Sequence, residues 1–297
     1  MRFASWLALL ATLALWSGNW IVARAVRDDV APGFATVGRL FIVLAVLLPF
    51  VFSGLRKKLR ELNSKELALF LALGFTGGGL HLAMQWLGLH YTTATSGTLY
   101  LSTGPIFILL LAAPLLGERI GPRQWAGVAI SFCGIYLIAA QGRVASLSFN
   151  VGDVLAVASM AMWGSHTVLL RLRRDPLTTL ELLTVVCLLG LVFMAPWVAF
   201  EFLSEKALSI NAKGVLGILY SAIFSLLIAY AGWNFAVRRV GAARAGVTLH
   251  LMPAFGVLFS ALFLGEYPYW YHFAGVALIL SGVALATFRA SSASSSP

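Results

Sequence analysis

The sequence predicts an all-α integral membrane protein: ten transmembrane helices, arranged as two inverted five-helix repeats with both termini cytoplasmic. Three observations predict it. Hydrophobic residues make up 60% of the 297 and charged residues only 11%, at a mean hydropathy of +0.89; a soluble domain carries about 25% charged residues. The second half of the chain repeats the first. Lysine and arginine gather in alternate loops.

The repeat is clearest in two stretches, Pro105 to Glu118 (PIFILLLAAPLLGE) and Pro253 to Glu266 (PAFGVLFSALFLGE). An offset of 148 aligns their Pro, Phe, Leu, Ala, Leu, Gly and Glu. The same offset pairs Ala126-Gly127-Val128 with Ala274-Gly275-Val276, and Gly134 with Gly282. An offset of 147 pairs Ala14, Trp16, Arg24, Arg27 and Asp28 with Ala161, Trp163, Arg171, Arg174 and Asp175. Two domains follow: residues 1–142 and 149–290, with a polar tail at 291–297 expected to be disordered.

A membrane helix needs roughly 20 mostly apolar residues. Ten stretches qualify: 3–23, 32–54, 66–89, 92–116, 121–140, 152–170, 177–202, 211–236, 242–264 and 268–288. The first follows Arg2 and ends at Arg24; because Trp16 to Asp28 recurs in the second half, it belongs to the fold and is not a removable leader. The second opens on Pro32 and ends at a basic run from Arg56. The third carries Gly74 and Gly77-Gly78-Gly79, which permit a bend or close packing. The fourth and ninth each hold the repeated proline, which removes a backbone bond and favours a kink. They also hold small-residue rows that favour tight crossing: Ala94, Thr98 and Ser102, and Ala242, Gly246 and His250. The fifth and tenth share Ala-Gly-Val.

Counting loops from Arg2, one side carries fifteen lysines and arginines and the other five; Arg39 lies within a span. The basic side faces the cytoplasm. Five spans per half is odd, so the second half enters the membrane upside down. Such inverted repeats imply a transporter with its site near midplane between the halves.

Polar residues within spans usually face a cavity. Arg39 lies about 10 Å inside the second span, and Tyr100 about 12 Å inside the fourth. Trp16 and Asn19 on the first span reach a similar depth, as do His81 and Gln85 on one face of the third. In the second half Trp163 matches Trp16, His166 matches Asn19, and His250 falls where Ser102 would be. Tyr230 and Asn234 share a face of the eighth span. A zwitterion would use such a set: a fixed cation, hydrogen-bond acceptors and rings. The candidate substrate-binding residues are therefore Trp16, Asn19, Arg39, His81, Gln85, Tyr100, Trp163, His166, Tyr230 and His250. Each has a plainer reading. Arg39 could bind a neighbouring helix's carbonyls or bridge to Asp28 or Asp29. The tryptophans could pack in the core, and the histidines, widely separated in depth, could be satisfied core residues. Trp6, Trp125, Trp197, Trp270, Tyr269 and Tyr271 sit near span ends as interfacial anchors.

Ten spans, the Pro…Leu-Gly-Glu run in each fourth helix and Ala-Gly-Val in each fifth resemble the drug/metabolite transporter superfamily, in its EamA-domain branch. The first helix, Leu15-Trp16-Ser17-Gly18-Asn19-Trp20, resembles that of the YddG-type aromatic amino acid exporters. The resemblance implies export of phenylalanine, tyrosine, tryptophan and other amino acids through a central cavity, in a bacterial inner membrane.

Other classes fit less well. A nucleotide sugar would favour several intramembrane cations, where Arg39 stands alone, and a cationic drug would favour an intramembrane acid. Every Asp and Glu falls near a span end, so transport without proton coupling is expected; histidine-based coupling stays open. Glu118 and Glu266 end their helices at the negative pole and need partners, such as Arg119 or Arg123 for Glu118. No phosphate-binding glycine loop or zinc-protease motif is present, and Cys133 and Cys187 lack metal-ligand spacing. Neither enzyme activity, cofactor, metal nor nucleic acid is expected; the partners are an amino acid-like solute and the lipid bilayer, and the chain is expected to be monomeric.

Overall fold

The computed structural model describes residues 2–117, 120–143, 150–203, 211–240 and 248–287. Among these residues all regular structure is helical, and it forms ten rods. They are α1 (Arg2–Ala25), α2 (Pro32–Arg60), α3 (Ser64–Tyr91), α4 (Ala94–Leu116), α5 (Pro122–Ala139), α6 (Val151–Leu170), α7 (Thr179–Leu203), α8 (Ala212–Leu219 continuing to Val240), α9 (Leu249–Leu251 and Met252–Leu264) and α10 (Trp270–Thr287). Seven of the ten, α1 to α4 and α6 to α8, are long and apolar enough to cross a membrane. Glu118, Arg119, Ala242, Gly246 and the 291–297 tail lie outside the described residues, as do the side chains of Asn234 and His250.

Local signals set the helix starts. Asn63 and Glu66 form a capping box at α3; Asn150 and Asn211 accept from Gly152 N and Gly214 N at 2.8 and 2.9 Å. α2 runs six residues past its expected end, because Lys57, Lys58 and Arg60 suit the negative pole of a helix. Lys58 there reaches Glu181 on α7 at 2.7 Å.

The repeat extends to the backbone irregularities. Gly117 and Gly265, 148 residues apart, both end their helices in the left-handed region, at φ 71° and 66°. That conformation explains the repeated Leu-Gly-Glu. Leu101–Thr103 and Leu249–Leu251 are tight 3₁₀ turns just before Pro105 and Pro253. The prolines thus disturb both fourth helices at one repeat position. Wide π-helical turns occupy Gly74–Leu80 in α3 and Tyr220–Ile228 in α8, where an offset of 147 superposes them. Only the first of these is glycine-rich.

Equivalent helices of the two halves pack on one another. Three repeat-equivalent pairs run antiparallel. In α5 and α10, Ser131 donates to the Ile279 carbonyl at 3.2 Å, a contact between equivalent positions, while Gly134 abuts Gly275. In α2 and α7, Glu201 accepts from Gly33 N and Phe34 N while Lys58 pairs with Glu181. In α4 and α9, Thr98 lies against Gly256 and Thr95 donates to Ser260 at 3.0 Å. The remaining helices are exchanged: α1 lies on α8, and α6 lies on α3. Tight crossing of α4 and α9 was expected from their small-residue rows. Thr98 takes part in it, against Gly256, while Ala242, Gly246 and the His250 side chain lie outside the described residues.

Carboxylates of the second half stitch one end of the molecule. Glu201 caps α2, and Asp153 binds the Thr92 hydroxyl. Glu266 caps α4 through Thr95 N at 3.1 Å and pairs with Arg24 at 3.4 Å. Arg24 also donates to the Leu89 and His90 carbonyls. In the α1–α2 turn, hydrogen bonds from Asn211 and Lys213 hold the Asp29 carboxyl below the usual carboxylate range. At the opposite end, burial alone would raise the Asp175 pKa, but Arg173 and the Leu177 amide outweigh it and depress it.

Candidate substrate site

α3 is the element around which the candidate side chains gather. Its π-helical glycines let neighbouring helices approach closely. A Cβ on Gly78 would meet the Val186 carbonyl of α7, and one on Gly77 would meet the His166 ring of α6. The turn that follows presents His81 to α6, Leu82 and Trp86 to α2, and Gln85 to α1.

From α2 comes Arg39, only 1% exposed. Its Nη2 donates to the Leu82 carbonyl at 3.1 Å, and its guanidinium carbon lies 5.4 Å from the Trp86 ring centre. That cation–π contact offsets part of the burial cost. Among the described residues no carboxylate pairs with Arg39. The expected alternative of a bridge to Asp28 or Asp29 fails, because Asp28 pairs with Arg27 and Asp29 with Lys213. The carbonyl-binding alternative holds for one nitrogen only, and Arg39 Nε has no hydrogen-bond partner. Desolvating a guanidinium without a counter-charge costs several kcal/mol.

From α1 comes Asn19, which donates to Gln85 Oε1 at 3.3 Å and accepts from Ser221 of α8. Both amides are buried, so this chain joins three helices away from solvent. From α6 come Trp163 and His166. His81 and His166 flank the Trp163 ring, with centroids 5.3 and 5.7 Å from it. The two histidines thus share one ring, although the carbonyls they bind, of Ser159 and Leu73, stand at different levels of α6 and α3. The antiparallel exchange of α6 onto α3 brings them to one ring, which span depth alone does not show. His81 Nδ1 lies 2.8 Å from the Ser159 carbonyl and His166 Nδ1 3.2 Å from that of Leu73. A carbonyl only accepts, so each Nδ1 carries a proton and donates it.

Other candidates lie apart. Trp16 turns to α8, donating to the Ser225 carbonyl at 3.1 Å and touching Trp233. Tyr100 is fully buried towards the stitched end, within electrostatic reach of Asp153. Tyr230 packs against the cluster of Leu40, Leu82 and Cys187. His250's side chain is outside the described set. The single level of cation, ring and amides thus divides into a centre on α3 and two outlying positions.

Sequence reasoning missed Trp86, which lies one residue past Gln85, and Ser221, 202 residues from Asn19. The first was visible as an aromatic in the same span; the second had no local signal. Two apolar grooves on the surface contain none of the candidate residues. One of about 630 Å³ lies between α2 and α7, and one of about 460 Å³ beside Tyr220 and Phe263.

This architecture can be set beside known proteins. A crystal structure matches 97% of the chain and 97% of its own length at a TM-score of 0.60 and 22% identity, which shows the shared fold. An uncharacterized transporter of Archaeoglobus fulgidus is 28% identical, covering 97% of this chain and 99% of that one. A probable terminal-alkyne amino-acid exporter of Streptantibioticus cattleyicolor is also 28% identical, over 95% and 93% of the two chains. A probable amino-acid metabolite efflux pump of Escherichia coli is 23% identical, over 95% and 94%. The EamA-like transporter family matches twice, at residues 2–140 and 150–288. The family thus covers both halves of the chain, and this multi-pass protein is a member of the EamA-like transporter family, a transporter and not an enzyme.

Proposed function

We propose that the protein is an alternating-access exporter of small amphipathic metabolites, chiefly aromatic and other amino acids, in a bacterial inner membrane. All ten rods cross the bilayer in this reading, and both termini are cytoplasmic. The antiparallel pairing of equivalent helices supports it, since two halves of opposite sense exchange outward and inward states when they swap conformations. The Glu201, Asp153 and Glu266 contacts then close the periplasmic end.

The observation that carries the substrate class is Arg39: a buried cation with no carboxylate partner among the described residues and an unused donor. It is suited to a substrate carboxylate, while His81, in the neutral form with its proton on Nδ1, offers Nε2 to an ammonium group. The Trp163 and Trp86 rings supply apolar surface for a side chain. Two relatives bear names that concern amino-acid export, in keeping with this reading. Asp28, Asp29, Glu66, Asp153, Asp175, Glu181, Glu201 and Glu266 are engaged in capping, hydrogen bonds and ion pairs near helix ends, which favours movement down the substrate gradient.

The test is counterflow of phenylalanine in proteoliposomes. Wild-type protein is expected to give saturable exchange of unchanged solute, and Arg39→Ala to lose at least about tenfold in transport efficiency, the scale of one charged hydrogen bond. Arg39→Ala exchanging at the wild-type rate would remove the anchor role. Exchange of amines or nucleobases without amino acids would favour a drug or nucleobase exporter of the same fold.

A further inference from the structure

Two nitrogen donors at the centre of the site lack acceptors: Arg39 Nε and Trp86 Nε1. Both side chains are almost wholly buried, at 1% and 2% exposure. Arg39 is pinned by its Nη2 to the Leu82 carbonyl, one helical turn before Trp86, so both groups lie along one face of α3. We infer that Arg39 and Trp86 together form a two-point seat for a substrate carboxylate, which makes Trp86 a substrate-binding residue. This inference rests on the transporter reading above.

The chemistry of the two donors selects the ligand. A guanidinium and an indole N–H can only donate. Their missing partner is therefore an acceptor, which excludes an ammonium group from this position. The fixed positive charge, unpaired with any described carboxylate, calls for an anionic acceptor. A carboxylate offers two oxygens, one for each donor, and it is small and planar. Leaving both nitrogens unsatisfied costs free energy in the empty state, and a carboxylate relieves both deficits at once.

The carboxylate could belong to an amino acid or to a simple organic acid, and three probes separate these sources. Isothermal titration of the full-length protein in detergent uses phenylalanine, 3-phenylpropionate and phenethylamine. Wild type is expected to bind the two carboxylates and not the amine. Preference for phenylalanine over 3-phenylpropionate identifies the amino acid as the source; the reverse identifies the organic acid. Trp86→Phe keeps a ring under the guanidinium and removes the N–H. It is expected to weaken both carboxylates about tenfold without lowering the melting temperature by more than a few degrees. Arg39→Lys keeps the charge, removes Nε, and is expected to act in the same direction. The seat is overturned if phenethylamine binds as tightly as phenylalanine, if no probe binds, or if both variants keep wild-type affinity. In the last case continued counterflow would leave the transporter reading intact. Trp86-dependent binding without counterflow would keep the seat and remove the transport reading.

Discussion

Glu266 shows how a residue can be read correctly for its need and incompletely for its answer. A glutamate after Leu264-Gly265 stands at the negative pole of its helix and requires compensation. The structure supplies it from the other half of the chain: Arg24 at 3.4 Å and the Thr95 amide at 3.1 Å. Glu266 thereby caps α4 and ties it to α1 and α9. Glu266→Ala is expected to destabilise the protein by about 1–2 kcal/mol, the usual cost of a lost cap. The check is thermal melting in detergent; an unchanged midpoint would mean that the contact contributes nothing. Arg39 is the opposite case. Its isolation within an apolar span was legible, and its lack of an acid partner was not, because Asp28 and Asp29 lie close in sequence. Both aspartates are engaged elsewhere, by Arg27, Asn211 and Lys213.

At the scale of elements, glycine content and helix geometry separate cleanly. The run Gly77-Gly78-Gly79 was visible as a weak place in α3, and the structure makes it a π-helical turn in tight contact with α6 and α7. The equivalent turn of α8 is built from Tyr220–Ile228, with no glycine, so composition could not reveal it. Gly78→Ala is expected to cost about 1–3 kcal/mol, because its methyl would meet the Val186 carbonyl, a backbone atom with little room to shift. Gly104→Ala serves as the control. Nothing lies within 4 Å of its Cβ position, and alanine favours the helix. Equal melting points for the two variants would refute the packing role of Gly78. Pro105 and Pro253 illustrate the legible side: their recurrence marks a break, and a 3₁₀ turn precedes each, whereas Pro49, Pro114 and Pro196 lie within continuous helices.

For the whole molecule, the proposed topology makes a direct prediction. With Cys133 and Cys187 replaced, a single cysteine at Lys57 is expected to react with an impermeant thiol reagent only from the cytoplasmic face. One at Lys213, 63% exposed, is expected to react only from the periplasmic face. Labelling of both from one face would overturn the inverted arrangement in the membrane. The sequence alone determined the helical class, the duplication, the approximate ends of the rods and the charge asymmetry. Each depends on residues close in the chain or on simple periodicity and counting, so it survives without knowledge of contacts. Only the tertiary structure decided that α1 lies on α8 and α6 on α3, that Ser221 completes the Asn19–Gln85 pair, and that Trp86 joins Arg39. Those are meetings between helices, set by which surfaces interlock. A bilayer gives little hydrophobic preference among apolar faces, so their choice rests on close packing and on a few polar bonds that the sequence does not order in space.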